Sequence, residues 1–511
     1  MRITRRGLFR HLAAAPLAAA TRPRNRPNIV LILADDLGYG DVNVYNPESK
    51  ILTPNLDKLA RQGVRFVDAH TPCGVCSPTR YGLLTGRYPW RTELKTQVLW
   101  PWDRPLIEKD RLTLPKMLKA HGYHTAAFGK WHLGWDWETT DGSKVNSQVR
   151  IGDPQREIRN EFAKKVRLDR PVREGPTTRG FDYYFGVDLP NFPPYTFIEN
   201  ERLLAAPTEQ KPDSMFGWPG AMKPGWKLEG VMPEITRRAV AHIKDRAARR
   251  DPYFVYFPMT APHTPVAPAA EFTGKSKAGK YGDFVQQVDW SVGQVMDAIR
   301  DSGTAEDTVV VFTSDNGPEN LTYPLLQEFE HGSQGPLRGA KRMLWEGGHR
   351  VPFLAWGPGR VPEGRTEKEV ICLTDMMATF AKLVGHKLPD AAAEDSYDVG
   401  AAMFGKTAGQ PRDKAIREAT VHHSMNNEYG LRQGDWVLIE SEKSAHGAAE
   451  PPWWKERFGV GKHSEPAELF HLSEDLRETK NLYAQYPDRV RQMRALLERY
   501  KSEDRSAPRR R

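Results

Sequence analysis

Asn28-Ile29-Val30-Leu31-Ile32-Leu33-Ala34-Asp35-Asp36 is the stretch from which the fold is read. From Ile29 to Ala34 it is apolar without interruption. A strand with one wet face alternates polar and apolar residues. An unbroken run therefore marks a strand buried on both faces, as in a parallel sheet with helices on either side. The run ends directly on two carboxylates, which puts charge at the carboxyl end of a buried strand.

Outward from there, the same unit of strand, polar tip and helix recurs. Thr53-Pro54 opens a short helix through Leu56, Leu59 and Ala60 that stops at Gly63, and residues 64–69 read as a strand. Thr113-Leu114-Pro115 opens a helix ending near Gly122, followed by a strand over 125–128 and then Gly129-Lys130-Trp131-His132. A helix over 235–249 leads into a strand over 253–257 that runs out to Ala261-Pro262-His263. An amphipathic helix over 283–300 leads to a strand over 308–312 and then Ser314-Asp315-Asn316-Gly317. A strand over 351–356 and a helix over 375–384 complete the series. Residues 136–235, polar and rich in Pro and Trp, read as long loops over the active face. Doubly wound sheets bind ligands beyond the carboxyl ends of their strands. Four strand ends here carry groups able to do chemistry, and together they are expected to line one cleft. The fold class expected is α/β: a large, mostly parallel sheet sandwiched by helices.

Beyond about residue 390 the pattern changes. Segments 418–424 and 429–440 read as an antiparallel meander, 467–472 as a further strand, and 488–501 as an amphipathic helix with Val490, Met493, Leu496, Leu497 and Tyr500 on one side. The division expected is an export signal at 1–26, a catalytic domain at 27–390, a smaller C-terminal subdomain of antiparallel sheet plus helix at 391–504, and a basic tail at 505–511. At 511 residues the chain is long enough for both folded parts. With 39% hydrophobic residues, 42 Gly and 40 Pro, it carries extensive surface loops around its sheet core. Of the net charge of +9, seven arginines within residues 1–26 account for seven, which leaves +2 on the body. A nucleic-acid-binding face is not indicated. Arg5-Arg6 ahead of a short apolar run ending in Ala18-Ala19-Ala20 reads as an export signal of twin-arginine type, so a periplasmic or extracellular location is expected. No run reaches the length a membrane helix needs.

The stretch Cys73-Gly74-Val75-Cys76-Ser77-Pro78-Thr79-Arg80-Tyr81-Gly82-Leu83-Leu84-Thr85-Gly86-Arg87 carries the most specific chemistry. Pro78 suits the first turn of a helix, where a missing N–H costs nothing. Cys76 then stands at the helix entrance, where free N–H groups and the dipole favour an anion. Arg80 follows about one turn later, within reach of an oxyanion or the nucleophile. Cys73-x-x-Cys76 also fits a redox pair or half a zinc site, but a zinc site needs a second pair and Cys372 is the only other cysteine. Asp35, Asp36, Asp315 and Asn316 offer oxygen alone, which suits Ca²⁺ or Mg²⁺. If Gly129–His132 is extended, Lys130 and His132 point the same way.

The spacing of Cys76, Pro78, Arg80, Thr85 and Gly86 resembles the Cys-x-Pro-x-Arg-x4-Thr-Gly motif of the type I sulfatases. Scattered motifs extend the resemblance over roughly residues 27–385, with a further stretch near Glu468–Leu482. The resemblance implies an alkaline-phosphatase-like fold and a sulfuric ester hydrolase. It implies that a maturation enzyme oxidises Cys76 to formylglycine, whose hydrate attacks sulfur. It also implies one Ca²⁺ held by Asp35, Asp36, Asp315 and Asn316, touching the modified Cys76 as well. Lys130, Lys341 and Arg80 are then expected to stabilise the sulfuryl oxygens, His263 to protonate the leaving oxygen, and His132 to help release sulfate. Sulfated saccharides or aryl sulfates are the expected substrates, and Trp100, Trp102, Trp135 and Trp226 are candidates for stacking on sugar. Many relatives carry a serine soon after a Gly-Phe-Asp segment; here Gly180-Phe181-Asp182 leads to Asp188 and Asn191 with no serine. A phosphatase or phosphonate monoester hydrolase of the same superfamily is the alternative enzyme, and an inactive binder of sulfated glycan the alternative non-enzyme.

Overall fold

The apolar run forms strand β1 (Asn28–Asp35), buried along its whole length in the computed structural model. Odd residues Ile29, Leu31 and Leu33 face one half of the core, and even residues Val30 and Ile32 face the other. Both faces are dry because helices cover both, as the absence of alternation requires. The structure describes residues 26–411, 414–441, 450–462 and 464–510. The expected export signal thus lies, apart from Arg26, outside the described residues.

In chain order the other strands of the large sheet are β2 (Val64–Phe66), β3 (His124–Lys130), β4 (Tyr183–Val187), β5 (Ile198–Glu199), β6 (Arg202–Leu203), β7 (Tyr253–Pro262), β8 (Thr308–Ser314), β9 (Phe353–Trp356) and β10 (Arg365–Glu367). The described residues form a ten-stranded sheet in the order β10-β2-β9-β8-β1-β7-β3-β4-β5-β6. The central five, β8-β1-β7-β3-β4, are parallel, and the flanks bring in antiparallel pairs such as β8 with β9. Register is what matters for chemistry. Ala34 pairs with Ser314 and Asp35 with Pro262, so the carboxyl ends of β8, β1 and β7 lie level.

Helices α1 (Pro54–Arg61), α5 (Val231–Arg249) and α6 (Gly279–Asp301) pack on the Val30 face. Helices α2 (Cys76–Thr85), α3 (Leu114–Ala120) and α7 (Met376–Leu383) pack on the Ile29 face. The stretch read as loops, 136–235, holds helix α4 (Arg156–Ala163) and β4–β6 among its turns. Its strands are short and its helix carries few buried residues, so neither periodicity emerges from sequence. The expected strand over 64–69 breaks into β2 and a second pairing at Ala69–His70.

The C-terminal sheet is β11 (Thr420–His423), β12 (Tyr429–Gln433), β13 (Trp436–Ile439) and β14 (Glu468–His471), antiparallel in chain order, with helix α8 (Pro487–Ser502) against it. Within the expected meander, 429–440 supplies two strands, joined in a hairpin that turns at Gly434 with φ 59°. Val490, Met493, Leu496, Leu497 and Tyr500 join Val421, Leu431, Leu438 and Leu469 in a core that also takes in Tyr88, Trp90 and Cys372. Among the described residues no helix is long and apolar enough to cross a membrane.

Candidate active site

The level strand ends converge on a buried, charged floor. Lys130, the last residue of β3, reaches both oxygens of Asp35 at 2.9 Å. Lys341 reaches Asp36 Oδ2 at 2.7 Å, and His263 Nε2 stands 3.7 Å from the same oxygen. Arg80 grips Asp315 Oδ2 through Nε at 3.1 Å and Nη2 at 2.7 Å, and stands 3.4 Å from Asp35. Asp36 breaks out of the strand with φ 65°, where its backbone N–H donates to Asp315 Oδ1 at 3.1 Å. Asn316 donates from Nδ2 to Asp36 Oδ1 at 2.7 Å and to the Gly317 carbonyl, which leaves its Oδ1 buried without a partner. A buried acceptor without a donor, among carboxylates, suits a hard cation. Asp35, Asp36, Cys76 and His263 each bring a ligand atom within 4.8 Å of the others.

Cys76 is the first residue of α2, and its Sγ lies 3.8 Å from Asp35 Oδ1. Every residue of the helix is buried, so its sequence is dictated by surroundings rather than by an amphipathic pattern. Pro78 falls in the first turn. Thr85 and Gly86 end the helix: Thr85 Oγ1 donates back to the Tyr81 carbonyl at 2.7 Å, and Gly86 takes the left-handed φ of 67°. A Cβ at Gly86 would stand 2.8 Å from the Cβ atoms of Ala393 and Met377, so the helix end needs glycine for space as well as conformation.

Electrostatics divide the floor. Burial opposes ionisation of Asp35, yet Lys130, His263, Arg80 and Lys341 hold its carboxyl well below the usual carboxylate range. Burial and the Asp35 charge push Asp315 up to about 6, against the pull of Arg80. Burial pushes the Cys76 thiol up to about 12, although Lys130 and Lys341 favour the thiolate. Burial lowers both histidines, His263 to about 4 with help from Lys341, and His132 far below its usual range with help from Lys130. Both imidazoles are thereby neutral at pH 7.

Above the floor lies a cleft of about 340 Å³. Cys76, His132, His263 and Lys341 line it, whereas Asp35, Asp36, Asp315, Asn316, Lys130 and Arg80 are packed behind, each at most 1% exposed. Arg80 was expected to meet an oxyanion; it is turned instead toward Asp315. The geometry expected for Lys130 and His132 is also different. His132 has φ 51°, not an extended conformation, and reaches the cleft by a left-handed turn while Nε2–H donates to the Leu99 carbonyl at 2.9 Å. Its Nδ1 has no partner. Asp188 fixes that turn by accepting from the His132 N–H at 3.1 Å and from Trp135 Nε1 at 3.2 Å. Asn191 lines the cleft, its Oδ1 buried and unpartnered. Of the four tryptophans singled out, Trp100 alone borders the cleft. Trp102, Trp135 and Trp226 pack into the core, because loops this long need large side chains to anchor them. Sequence reasoning missed Phe192, Trp218, Arg156 and Arg342 on the cleft wall; three stand in loops that carry no periodic signal, and Arg156 opens the short helix α4.

A large parallel-centred sheet with three carboxylates and a lysine at its strand ends, met there by Cys76 at a helix entrance and by Lys341, is the frame of a hydrolase of the alkaline-phosphatase-like class. The sulfatase family profile matches residues 27–386, and the chain belongs to the sulfatase family, enzymes that hydrolyse sulfuric esters. It is 32% identical over 502 residues to an N-acetylgalactosamine-6-O-sulfatase of Bacteroides thetaiotaomicron, covering 93% of each chain. It is 33% identical over 478 residues to human arylsulfatase A, covering 92% of this chain and 85% of the relative. A solved structure from work on glycosaminoglycan metabolism in Bacteroides thetaiotaomicron superposes with a TM-score of 0.77 at 29% identity, covering 94% of this chain and all of the other.

Proposed function

We propose that this sulfatase hydrolyses sulfate esters of saccharides, with residue 76 as nucleophile and one Ca²⁺ held by Asp35, Asp36, Asp315 and Asn316. The observation that carries the reading is the setting of Cys76. It is a buried thiol at a helix entrance, 3.8 Å from Asp35 and open to the cleft. A thiol pushed to about 12 is a poor nucleophile as it stands, so the attacking hydroxyl is assigned instead to the hydrate of a formylglycine made from Cys76 by a maturation enzyme. A bound Ca²⁺ supplies positive charge against the nucleophile and the sulfuryl oxygens. The all-oxygen donor set and the orphaned Asn316 Oδ1 fit such an ion.

The chain's own residues divide the remaining work. The carboxylates of Asp35, Asp36 and Asp315 balance Lys130, Lys341 and Arg80 in charge. A divalent ion therefore leaves a positive surplus for an anionic substrate. Lys341, which lines the cleft, meets the sulfate directly, while Lys130 and Arg80 position the carboxylates. His132, with Nε2–H committed to the Leu99 carbonyl and Nδ1 free, takes the proton from the second hydroxyl. His263 gives a proton to the leaving sugar oxygen. Its Nδ1 faces the Thr264 carbonyl, so Nε2 is the working nitrogen and must take up a proton when substrate binds; burial first and the Lys341 charge second oppose this, and the charge of the arriving sulfate offsets them. The aromatic wall of Trp100, Phe192 and Trp218 suits the faces of a sugar, and relatives named for N-acetylgalactosamine 6-sulfate support a saccharide substrate. In this reading residues 27–390 hold the chemistry, 391–504 brace the cleft through Met425, 505–511 form a basic tail, and 1–26 direct export by the twin-arginine route.

The test compares initial rates on sulfate and phosphate esters of one nitrophenol, then on defined sulfated saccharides. Turnover of the sulfate esters well above the phosphate is expected; the reverse order makes the chain a phosphatase. Mass spectrometry of the tryptic peptide ending at Arg80 is expected to show sulfur replaced by oxygen at residue 76. An unmodified cysteine in fully active enzyme defeats the nucleophile assignment.

A further inference from the structure

We propose that Arg156, seated on Trp218 at the cleft wall, recognises a second anionic group on the substrate, a carboxylate or a further sulfate beyond the one cleaved. This deepens, and rests on, the saccharide sulfatase reading. Arg156 is the first residue of α4, within the stretch where the chain spends its length on loops and short strands. Its guanidinium carbon lies 5.3 Å from the centroid of the Trp218 ring. Trp218 in turn packs on Trp100 at 5.5 Å and on Phe192 at 6.0 Å, so the three rings form one wall. The wall is fixed from behind. The Trp218 N–H donates to the Asn191 carbonyl at 3.0 Å, and Tyr195 OH donates to the Trp218 carbonyl at 2.5 Å. Gly217 makes this possible: φ is 130°, and a Cβ there would stand 2.5 Å from Tyr195 OH and 2.7 Å from the Asn191 carbonyl oxygen.

What singles out Arg156 is that its charge is uncommitted. Arg342, on the same cleft, is occupied by Glu319, with Nη2 2.7 Å from Oε2. Lys341 is held by Asp36 at 2.7 Å. Among the described residues, no hydrogen bond or ion pair engages the Arg156 guanidinium, which lies on the Trp218 face with Tyr195 near enough to feel its charge. A guanidinium lying on an aromatic face is held in place by cation–π attraction while its N–H edge stays free. That edge matches the two oxygens of a carboxylate or sulfate. The cleft is small, about 340 Å³, and Cys76 and Arg156 both line it, so one sugar on the aromatic wall can offer groups to both. The chemistry of recognition is therefore that of a polyanionic saccharide, not of a singly sulfated one.

The experiment measures kcat and KM of wild type, Arg156→Ala and Arg156→Lys on three probes. These are nitrophenyl sulfate, a neutral saccharide with one sulfate, and matched saccharides bearing an added uronate carboxylate or a second sulfate. Wild type is expected to favour the doubly anionic saccharide, and Arg156→Ala to lose about ten-fold or more of that preference, chiefly through KM. Arg156→Lys should recover only part of it, because an ammonium cannot pair bidentately. Separate uronate and disulfate arms show which anion is read. Equal losses on all three probes make Arg156 a structural residue and overturn the proposal, as does an unchanged preference. If wild type turns over neither nitrophenyl sulfate nor any sulfated saccharide, the sulfatase reading itself falls, and this proposal with it.

Discussion

Two buried charge clusters in this molecule use the same ingredients to opposite ends. The floor of the cleft gathers Asp35, Asp36 and Asp315 with Lys130, Lys341 and Arg80. The second cluster joins the C-terminal sheet to the body. There Arg432 of β12 reaches Asp68 at 3.0 Å and Glu346 at 3.3 Å, Arg350 reaches Glu346 at 3.0 Å, and His70 Nε2 meets Asp68 at 2.6 Å. In this joint Asp68 and Glu346 are each bracketed by guanidinium groups from two sides, although Glu346 Oε1 is buried without a partner and burial raises the neighbouring Glu478. Burial alone would raise Glu346, but His70, Arg432 and Arg350 hold it down at about 2, and Asp68 is lowered likewise. In the floor one carboxyl goes down and another, Asp315, up to about 6, while the Asn316 carbonyl is left without a donor. Charges balance in both clusters; what sets the floor apart is that it opens on the cleft through Cys76, His263 and Lys341, whereas the joint is closed between the C-terminal sheet and the body.

The largest effects should come from the floor. Cys76→Ala is expected to abolish turnover and leave the fold intact, as circular dichroism and rate measurements together would check. Asp315→Ala removes a predicted calcium ligand and leaves Arg80 without its main partner. At least ~10²-fold loss of activity is expected, with a lower Tm and weaker calcium retention. Chelation of wild-type enzyme should reproduce both losses and added calcium reverse them. Elemental analysis finding zinc instead, or an Asp315→Ala enzyme with full activity, breaks the contrast between the clusters.

His263→Ala sharpens it on the chemical side. A sugar alkoxide needs a proton as it leaves, and a nitrophenolate hardly does. General acid help is worth ~10²–10⁴ in rate where the leaving group demands it. The variant should therefore cripple hydrolysis of a sulfated saccharide far more than that of nitrophenyl sulfate. Equal slowing of both would make His263 a positioning residue and send the search for the acid to His132.

The joint should behave otherwise. Arg432→Met leaves Asp68 and Glu346 each short of a partner and is expected to destabilise the fold by ~3–5 kcal/mol in urea melts. Turnover per folded molecule should stay close to wild type. A loss of rate without loss of stability would show that the joint serves the chemistry after all.

The two clusters were not equally legible in the sequence. The floor was, because its groups sit at the ends of recognisable buried strands and beside a fixed-spacing motif. Asp35, Cys76, His263 and Asp315 could be named with their neighbours before any geometry was known. The joint was invisible: Asp68, Glu346 and Arg432 lie far apart in the chain on short or irregular elements, and only tertiary packing brings them together. The parallel core was read for the same reason as the floor, from unbroken apolar runs. The cleft wall was not, since Trp218 and Arg156 stand in a stretch with no period of either kind. Trp100, Trp102, Trp135 and Trp226 were equally credible from sequence as anchors or as sugar platforms, and all but Trp100 are anchors. For Arg80, spacing alone could not reveal that the side chain turns to Asp315 behind the cleft wall.

The smallest expected effect concerns acid. Glu346 titrates at about 2 in the folded chain, below the ordinary value of 4.5 that it regains on unfolding. A carboxyl whose folded value is depressed adds stability that is fully present above the unfolded value. That stability drains away as pH falls from about 4.5 toward 2, because the unfolded chain takes up the proton first. Glu346→Gln removes this contribution, so its urea midpoint should lie below wild type at neutral pH and approach it as pH is lowered through that window. Asp35, depressed by its own cations, loses stability with falling pH in both proteins and cancels in the difference. A gap between the two midpoints that stays constant from neutral pH down to about 3 would mean that the Arg432 and Arg350 contacts do not hold Glu346 ionised, and the joint would have to owe its strength to packing alone.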